Sequence, residues 1–284
     1  MTNEWLLQME LFWQAGLAGG LLAVLLPILG LTLRLRHEYW AALAYGQLGA
    51  AGALGALVLG LPLLLGGLVF SLAAAAAKHP LERRLPGVVL YPLLFILGWG
   101  TSHLMTANLP GVERQGMALF EGQLYFAGTE ILAGSILALT LTVIFIRMKG
   151  KALLLAHLFP AHFGAQGHNP WRVRAGFDLL VAASLALAVM SLGVMGAFAL
   201  ILIPAWIAGV FSSSWRTALI AGPLLSLLAY VLAFMLALIH DQPFGPVLVL
   251  VLGLMALALP AFSLAKSRAA LRIPKKTTNE LPEE

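Results

Sequence analysis

Six stretches without a single Asp, Glu, Lys or Arg dominate this chain, at residues 11–33, 39–77, 85–112, 179–215, 217–239 and 242–265. A helix rises about 1.5 Å per residue, so roughly 20 apolar residues cross the ~30 Å hydrocarbon core of a bilayer. Each stretch is long enough for one crossing, and the two longest, 39–77 and 179–215, hold two each. In hydrocarbon a backbone N–H or C=O finds no water, and an α-helix satisfies those groups within its own segment. The expected fold is therefore all-α, a polytopic transmembrane helical bundle.

Composition agrees. Hydrophobic residues make up 61% of the 284 and charged residues 10%, with a mean hydropathy of +0.93; a soluble domain carries about 25% charged residues. The absence of cysteine excludes disulfides, thiolate metal sites and cysteine nucleophiles. The first basic residue is Arg34, so no basic region precedes the first apolar segment, which reads as a retained helix. The pI near 9.7 comes from basic residues scattered between apolar segments, where they report membrane orientation and not nucleic-acid binding.

Helices are expected at about 11–33, 40–58, 61–77, 86–107, 129–146, 176–193, 195–211, 217–239 and 246–265, nine in all, with eight as the alternative count. Turns fall at Gly60-Leu61-Pro62, Lys78-His79-Pro80 and Ser212-Ser213-Ser214. Residues 148–175 carry His157, Pro160, His162, Gln166, His168 and Asn169, a polarity unsuited to lipid, and are placed at the cytoplasmic surface. With the N-terminus outside and the C-terminus cytosolic, every Lys and Arg but Arg114 lies inside. Residues 1–272 then form a single transmembrane domain, and 273–284 a disordered tail. Gly46, Gly49, Gly52 and Gly55 recur every third position and read as a packing seam.

Enzyme chemistry finds no foothold. The chain has no phosphate-loop motif, no H-E-x-x-H and no G-x-S-x-G. The expected membrane interior carries no Asp, Glu, Lys or Arg at depth, the groups ion-coupled carriers place near the midplane. An energy source on another chain follows, and no cofactor is expected on this one.

Three stretches resemble the permease family of zinc, manganese and iron ABC importers. Residues 193–205 form a Gly-led apolar run closing on Pro204-Ala205. Asp241-Gln242-Pro243-Phe244-Gly245-Pro246 is similar to the family's D-x-P-x-G-P turn. Leu158-Phe159-Pro160-Ala161-His162-Phe163-Gly164-Ala165-Gln166-Gly167 resembles its cytoplasmic coupling segment. Phe120 with Gly122-Gln123-Leu124 is similar to a further stretch before the fifth helix. The resemblance implies a homodimer in the bacterial inner membrane, served by a cytosolic ATPase that binds ATP and Mg²⁺ and by an extracytoplasmic substrate-binding protein. It further implies alternating access, with Pro160, His162, Phe163, Gly164, Gln166 and Gly167 contacting the ATPase and Pro204 kinking its helix. A stand-alone secondary carrier or a structural membrane subunit is the alternative.

One departure bears on cargo. Metal-transporting members carry G-D-x-[LI]-[SA]-H-A at the start of the second helix, with Asp and His on one face. Here Trp40-Ala41-Ala42-Leu43-Ala44-Tyr45-Gly46 places Ala41 and Tyr45 at those positions, and neither is an ordinary divalent-metal ligand. Tyr45 and Gln47 are therefore expected beside the translocation path without forming a tight cation site. His103 and Met105 are further path candidates, and His240, Asp241, Pro243, Gly245 and Pro246 make up the outer turn. No metal ligand set is assigned.

Overall fold

The computed structural model describes residues 2–122, 124–159 and 169–271. Its elements are α1 (Thr2–Arg36), α2 (Tyr39–Val58), α3 (Leu63–Glu82), α4 (Gly87–Asn108), α5 (Glu113–Glu121), a 3-10 turn (Leu124–Phe126), α6 (Thr129–Leu158), α7 (Pro170–Leu192), α8 (Val194–Phe211), α9 (Trp215–His240) and α10 (Phe244–Leu271). No strand occurs among the described residues. Among the described residues eight helices, α1–α4 and α6–α9, are long and apolar enough to cross a membrane, and the described side chains of α10 add an apolar stretch over Phe244–Ala258. The expected all-α bundle is what forms, and the stretch 179–215, whose reading as one crossing or two separated the counts of eight and nine, divides at Gly193 into α7 and α8.

Several boundaries differ from the sequence expectation, and for one reason. Lys and Arg end the contact with hydrocarbon, whereas the backbone ladder continues into water. Thus α3 runs through Lys78, His79 and Pro80 to Glu82 instead of turning there, the proline leaving the Ala76 carbonyl without its intrahelical donor. Likewise α6 passes Arg147, Lys149 and Lys151 and ends at Leu158; its 30 residues span about 45 Å, more than the hydrocarbon core. The start of α7 is set by local chemistry: the Asn169 side chain accepts from the Trp171 N–H at 3.0 Å, and Pro170 occupies the first helical position. The short α5 is polar and lies outside the expected set. The turns at 60–62 and 212–214 stand as expected. Gly60 takes φ 71°, and Ser214 caps α9 in a reciprocal box with Thr217.

Burial separates an inner set of helices from an outer one. In α2, 72% of the membrane window is buried, against 17% in α6, with α1, α7 and α8 on the inner side and α3, α4 and α9 on the outer. The core runs through Leu22, Leu26, Leu29, Tyr45, Phe177, Val181, Leu185, Val189 and Phe198. Outward residues such as Val88 and Ile220 are apolar and exposed, as a lipid-facing surface requires.

Long-range contacts define two ends. At one, Arg36 reaches Asp178 and Arg34 donates to the Trp206 carbonyl at 3.1 Å; this is the basic end. At the other, Gly122, Gly193 and Gly245 meet. Gly193 separates α7 from α8 at φ 79°, and a Cβ there would lie 2.6 Å from the Gly122 nitrogen. A Cβ on Gly245 would meet the Leu192 carbonyl oxygen at 3.0 Å. The glycine seam holds as packing: a Cβ on Gly52 would lie 2.6 Å from the Gly66 carbonyl oxygen, so α2 and α3 touch through their backbones. Pro204 lies buried in α8, which continues through it without interruption.

Gly193→Ala combines a positive φ with a backbone clash and is expected to destabilise the chain by about 1–3 kcal/mol. Gly16→Ala meets nothing within 4 Å and, in a helix interior, is expected to raise stability by up to about 1 kcal/mol. Thermal unfolding of the two purified variants in detergent checks the contrast, and equal melting temperatures would contradict it.

Candidate functional site

The most concentrated polar chemistry lies at the basic end, where the sequence places only loop charges. Helix α1 ends at Arg36, and His37 takes φ 54°, which reverses the chain. The reversal sets Glu38 at the N-cap of α2, where the helix dipole favours an anion. Lys78 comes from the last turns of α3 and Asp178 from the third turn of α7. Arg36 Nη2 lies 2.5 Å from Glu38 Oε2, and Nη1 donates to Asp178 Oδ1 at 3.1 Å. Lys78 Nζ bridges the two carboxylates, at 2.8 Å from Glu38 Oε2 and 2.9 Å from Asp178 Oδ2. The result is a neutral square of two cations and two anions.

Arg36, Lys78 and Asp178 are all buried, with 3%, 6% and 3% of their surface exposed. Aromatic faces complete the enclosure, with the Arg36 guanidinium 5.3 Å from the Phe177 ring and Lys78 Nζ 5.7 Å from the Tyr91 ring. The Tyr91 hydroxyl donates to Glu82. Burial pushes the Glu38 carboxyl up, but the Arg36 guanidinium and the Lys78 ammonium outweigh it and hold the group below its ordinary 4.5. A cavity of about 390 Å³ adjoins the square, lined by all four residues and, at its edge, by His79 and Trp171 with their rings 5.3 Å apart.

The path candidates do not converge. The Tyr45 side chain is buried on α2 with its hydroxyl unpartnered, and Gln47 is fully buried with both amide atoms unpartnered. The Gln47 backbone packs where a Cβ on Gly98 of α4 would touch it. His103 instead lies exposed on α4, its ring 4.3 Å from Trp99 and 4.6 Å from Phe120. Met105 packs with Ala53, Leu54 and Leu119.

In the outer turn, His240 ends α9 and Asp241 closes it at φ 51°. Pro243 precedes α10, and Gly245 and Pro246 belong to its first turn, so Gly245 serves the glycine junction. Pro160, His162, Phe163, Gly164, Gln166 and Gly167 lie outside the described residues, as does the tail 273–284. Among the described residues no group of three or more His, Cys, Asp or Glu is placed to hold a metal ion.

Sequence reasoning missed the charge square because Arg36 and Lys78 were counted with the basic loops, while Glu38 and Asp178 stand at the edges of apolar runs with little local to mark a partner. One signal was available. Asp178 is the sole acidic residue between Glu130 and Asp241, set beside Arg172 and Arg174, and a lone acid at a helix start among cations needs a partner. Removing one member leaves an uncompensated buried charge, so Asp178→Asn is expected to cost about 3–5 kcal/mol. Adding Lys78→Met leaves Arg36 paired with Glu38 and is expected to recover most of that loss. Melting temperatures of the single and double variants measure the recovery; additive losses would contradict it.

The geometry can be set beside known proteins. The sequence matches the model of the ABC 3 transport family over residues 8–263. No curated protein sequence matches it significantly. Among solved structures, the fold is similar to PsaBC from Streptococcus pneumoniae in complex with Fab, with a TM-score of 0.75 at 16% identity, covering 91% of this chain and 95% of that one. It is also similar to a transporter assigned to the metal-chelate ABC type, in an inward-facing conformation, with a TM-score of 0.67 at 14% identity and coverage of 89% and 85%. At these identities the structural likeness speaks for the fold alone. The match to the family extends over nearly the whole sequence, and on that ground the chain belongs to the ABC 3 transport family.

Proposed function

We propose that this chain is the membrane-spanning permease of an ATP-driven importer for a divalent metal ion or a metal complex, working as a homodimer with two cytosolic ATPases and fed by an extracytoplasmic binding protein. The observation that carries the reading is the family match across residues 8–263 on a bundle with eight candidate spans. The fold is shared with a transporter assigned to the metal-chelate type, and a metal or metal-complex cargo is consistent with that fold. The absence of a phosphate loop from the sequence supports a separate ATPase. The basic asymmetry supports an external N-terminus and a cytosolic C-terminus in a bacterial inner membrane.

Ala41 and Tyr45 argue against a tight cation site on α2. A bare divalent ion wants about four to six donors, and Tyr45 contributes one buried phenol. We read the cargo as a hydrated or chelated ion that passes α2 without inner coordination. Gln47, buried with both amide atoms unpartnered, is the group on α2 best suited to hydrogen-bond such a shell once the helices part.

Uptake of radiolabelled manganese and zinc into vesicles holding this chain and its ATPase is expected to require ATP; equal uptake without nucleotide would favour a secondary carrier. Gly164→Asp is expected to lower transport about tenfold or more while ATP hydrolysis continues, the loss that follows when a coupling contact is displaced. A cysteine at Glu113 is expected to react with an impermeant maleimide in intact cells, and one at Lys149 to remain unlabelled. Labelling at Lys149 alone would invert the topology.

A further inference from the structure

We propose that the Arg36–Glu38–Lys78–Asp178 square is a reversible electrostatic latch: it closes the basic end of the bundle by holding α7 against α3 and the α1–α2 elbow, and it parts by hydration of its four charges. The proposal rests on the permease reading, because alternating access requires one end of the bundle to open and reclose.

The latch joins segments remote in sequence. Asp178 lies 142 residues from Arg36 and 100 from Lys78, yet both cations come within 3.1 Å of its carboxylate oxygens. A buried ion pair gains in attraction roughly what it loses in desolvation, so it specifies geometry more than it adds stability. That balance suits a contact that must break repeatedly. An apolar plug in the same place would expose hydrophobic surface each time it opened, whereas separated charges exchange each other for water. The adjoining cavity of about 390 Å³ supplies the room, since one water needs about 10–15 Å³ of such space.

The rest of α3 is built as a lever on this contact. Near its start, Gly66 is fixed against the backbone of α2 at Gly52. Midway, Ser71 Oγ donates to the Ala182 carbonyl of α7 at 2.8 Å. Lys78 lies at the far end. Only 33% of α3 is buried over its apolar stretch, against 67% of α7, so α3 is the less enclosed partner, and its Lys78 end is the part free to separate when Lys78 leaves Asp178.

The chain has no cysteine, so Ala75→Cys provides a single thiol at a buried residue lining the cavity. Its reaction rate with a soluble maleimide is measured on the purified full chain in the native, Lys78→Arg, Lys78→Met, Asp178→Asn and Lys78→Met/Asp178→Asn backgrounds. The two neutralising single variants are expected to react about tenfold faster or more, the order set by an uncompensated buried charge. Lys78→Arg and the double variant are expected to react at the native rate or below.

In ATPase-loaded vesicles Lys78→Arg is expected to transport. The double variant is expected to lose about tenfold or more of its rate although it stays folded and closed, because a neutral pair gains little from hydration. A mere brace would predict normal transport in the double variant, and that result overturns the latch. Native labelling rates in both neutralising single variants overturn it too. If those single variants do not survive purification, Lys78→Arg and the double variant decide the question through both readouts. Failure of the native chain to transport metal would instead defeat the permease reading, while the labelling rates still judge the latch.

Discussion

A backbone amide that enters hydrocarbon must find its partner inside its own segment, and the architecture of this chain follows from that requirement. It makes every apolar stretch helical and places irregular backbone at the ends of the bundle. It also explains why the helices ignore the residues that mark the membrane boundary. Helix α6 passes Arg147, Lys149 and Lys151 unbroken, because nothing in a basic side chain interrupts a hydrogen-bonded ladder. Prolines are tolerated for a related reason: Pro27, Pro92, Pro204 and Pro223 each lie inside a continuous helix, where neighbouring helices and local adjustment satisfy the freed carbonyl.

Once the helices exist, lipid offers them little hydrophobic reason to associate, since lipid tails are as apolar as leucine. Close approach supplies the attraction instead. Backbone meets backbone at Gly52 and Gly66, and again where Gly122, Gly193 and Gly245 pack together. The outer turn is thereby explained as architecture: Gly245 is small because Glu121 and Leu192 present their backbones to it. Specific hydrogen bonds add to this, as where the Tyr230 hydroxyl donates to the Gly16 carbonyl at 3.0 Å.

The two ends of the bundle are held by different physics. One is a dry junction of glycine backbones, rigid because any added atom collides. The other is a square of full charges beside a cavity, strong while closed and open to replacement by water. A transporter that exposes its interior alternately needs a contact of the second kind. Trp171 and Arg174, which line the same cavity, follow in sequence within a few residues of the stretch that resembles an ATPase-coupling element.

Composition and hydropathy alone determined the helical class, the number of apolar segments to within one, the turns at 60–62 and 212–214, and the absence of enzyme motifs. These properties are local, set by how many apolar residues follow one another and by which breakers separate them. The family was legible too, through the runs at 193–205 and 241–246. Which faces meet was not. Tyr45, Gln47, His103 and Met105 shared a role on paper, but only the first two are buried on α2, while His103 faces outward from α4. Arg36 and Lys78 read as loop cations, and Glu38 and Asp178 carried no assigned role. Tertiary structure alone decided that they neutralise one another, because whether a charge at a helix end faces water or a partner depends on helices 40 to 142 residues away, and no local pattern encodes that distance.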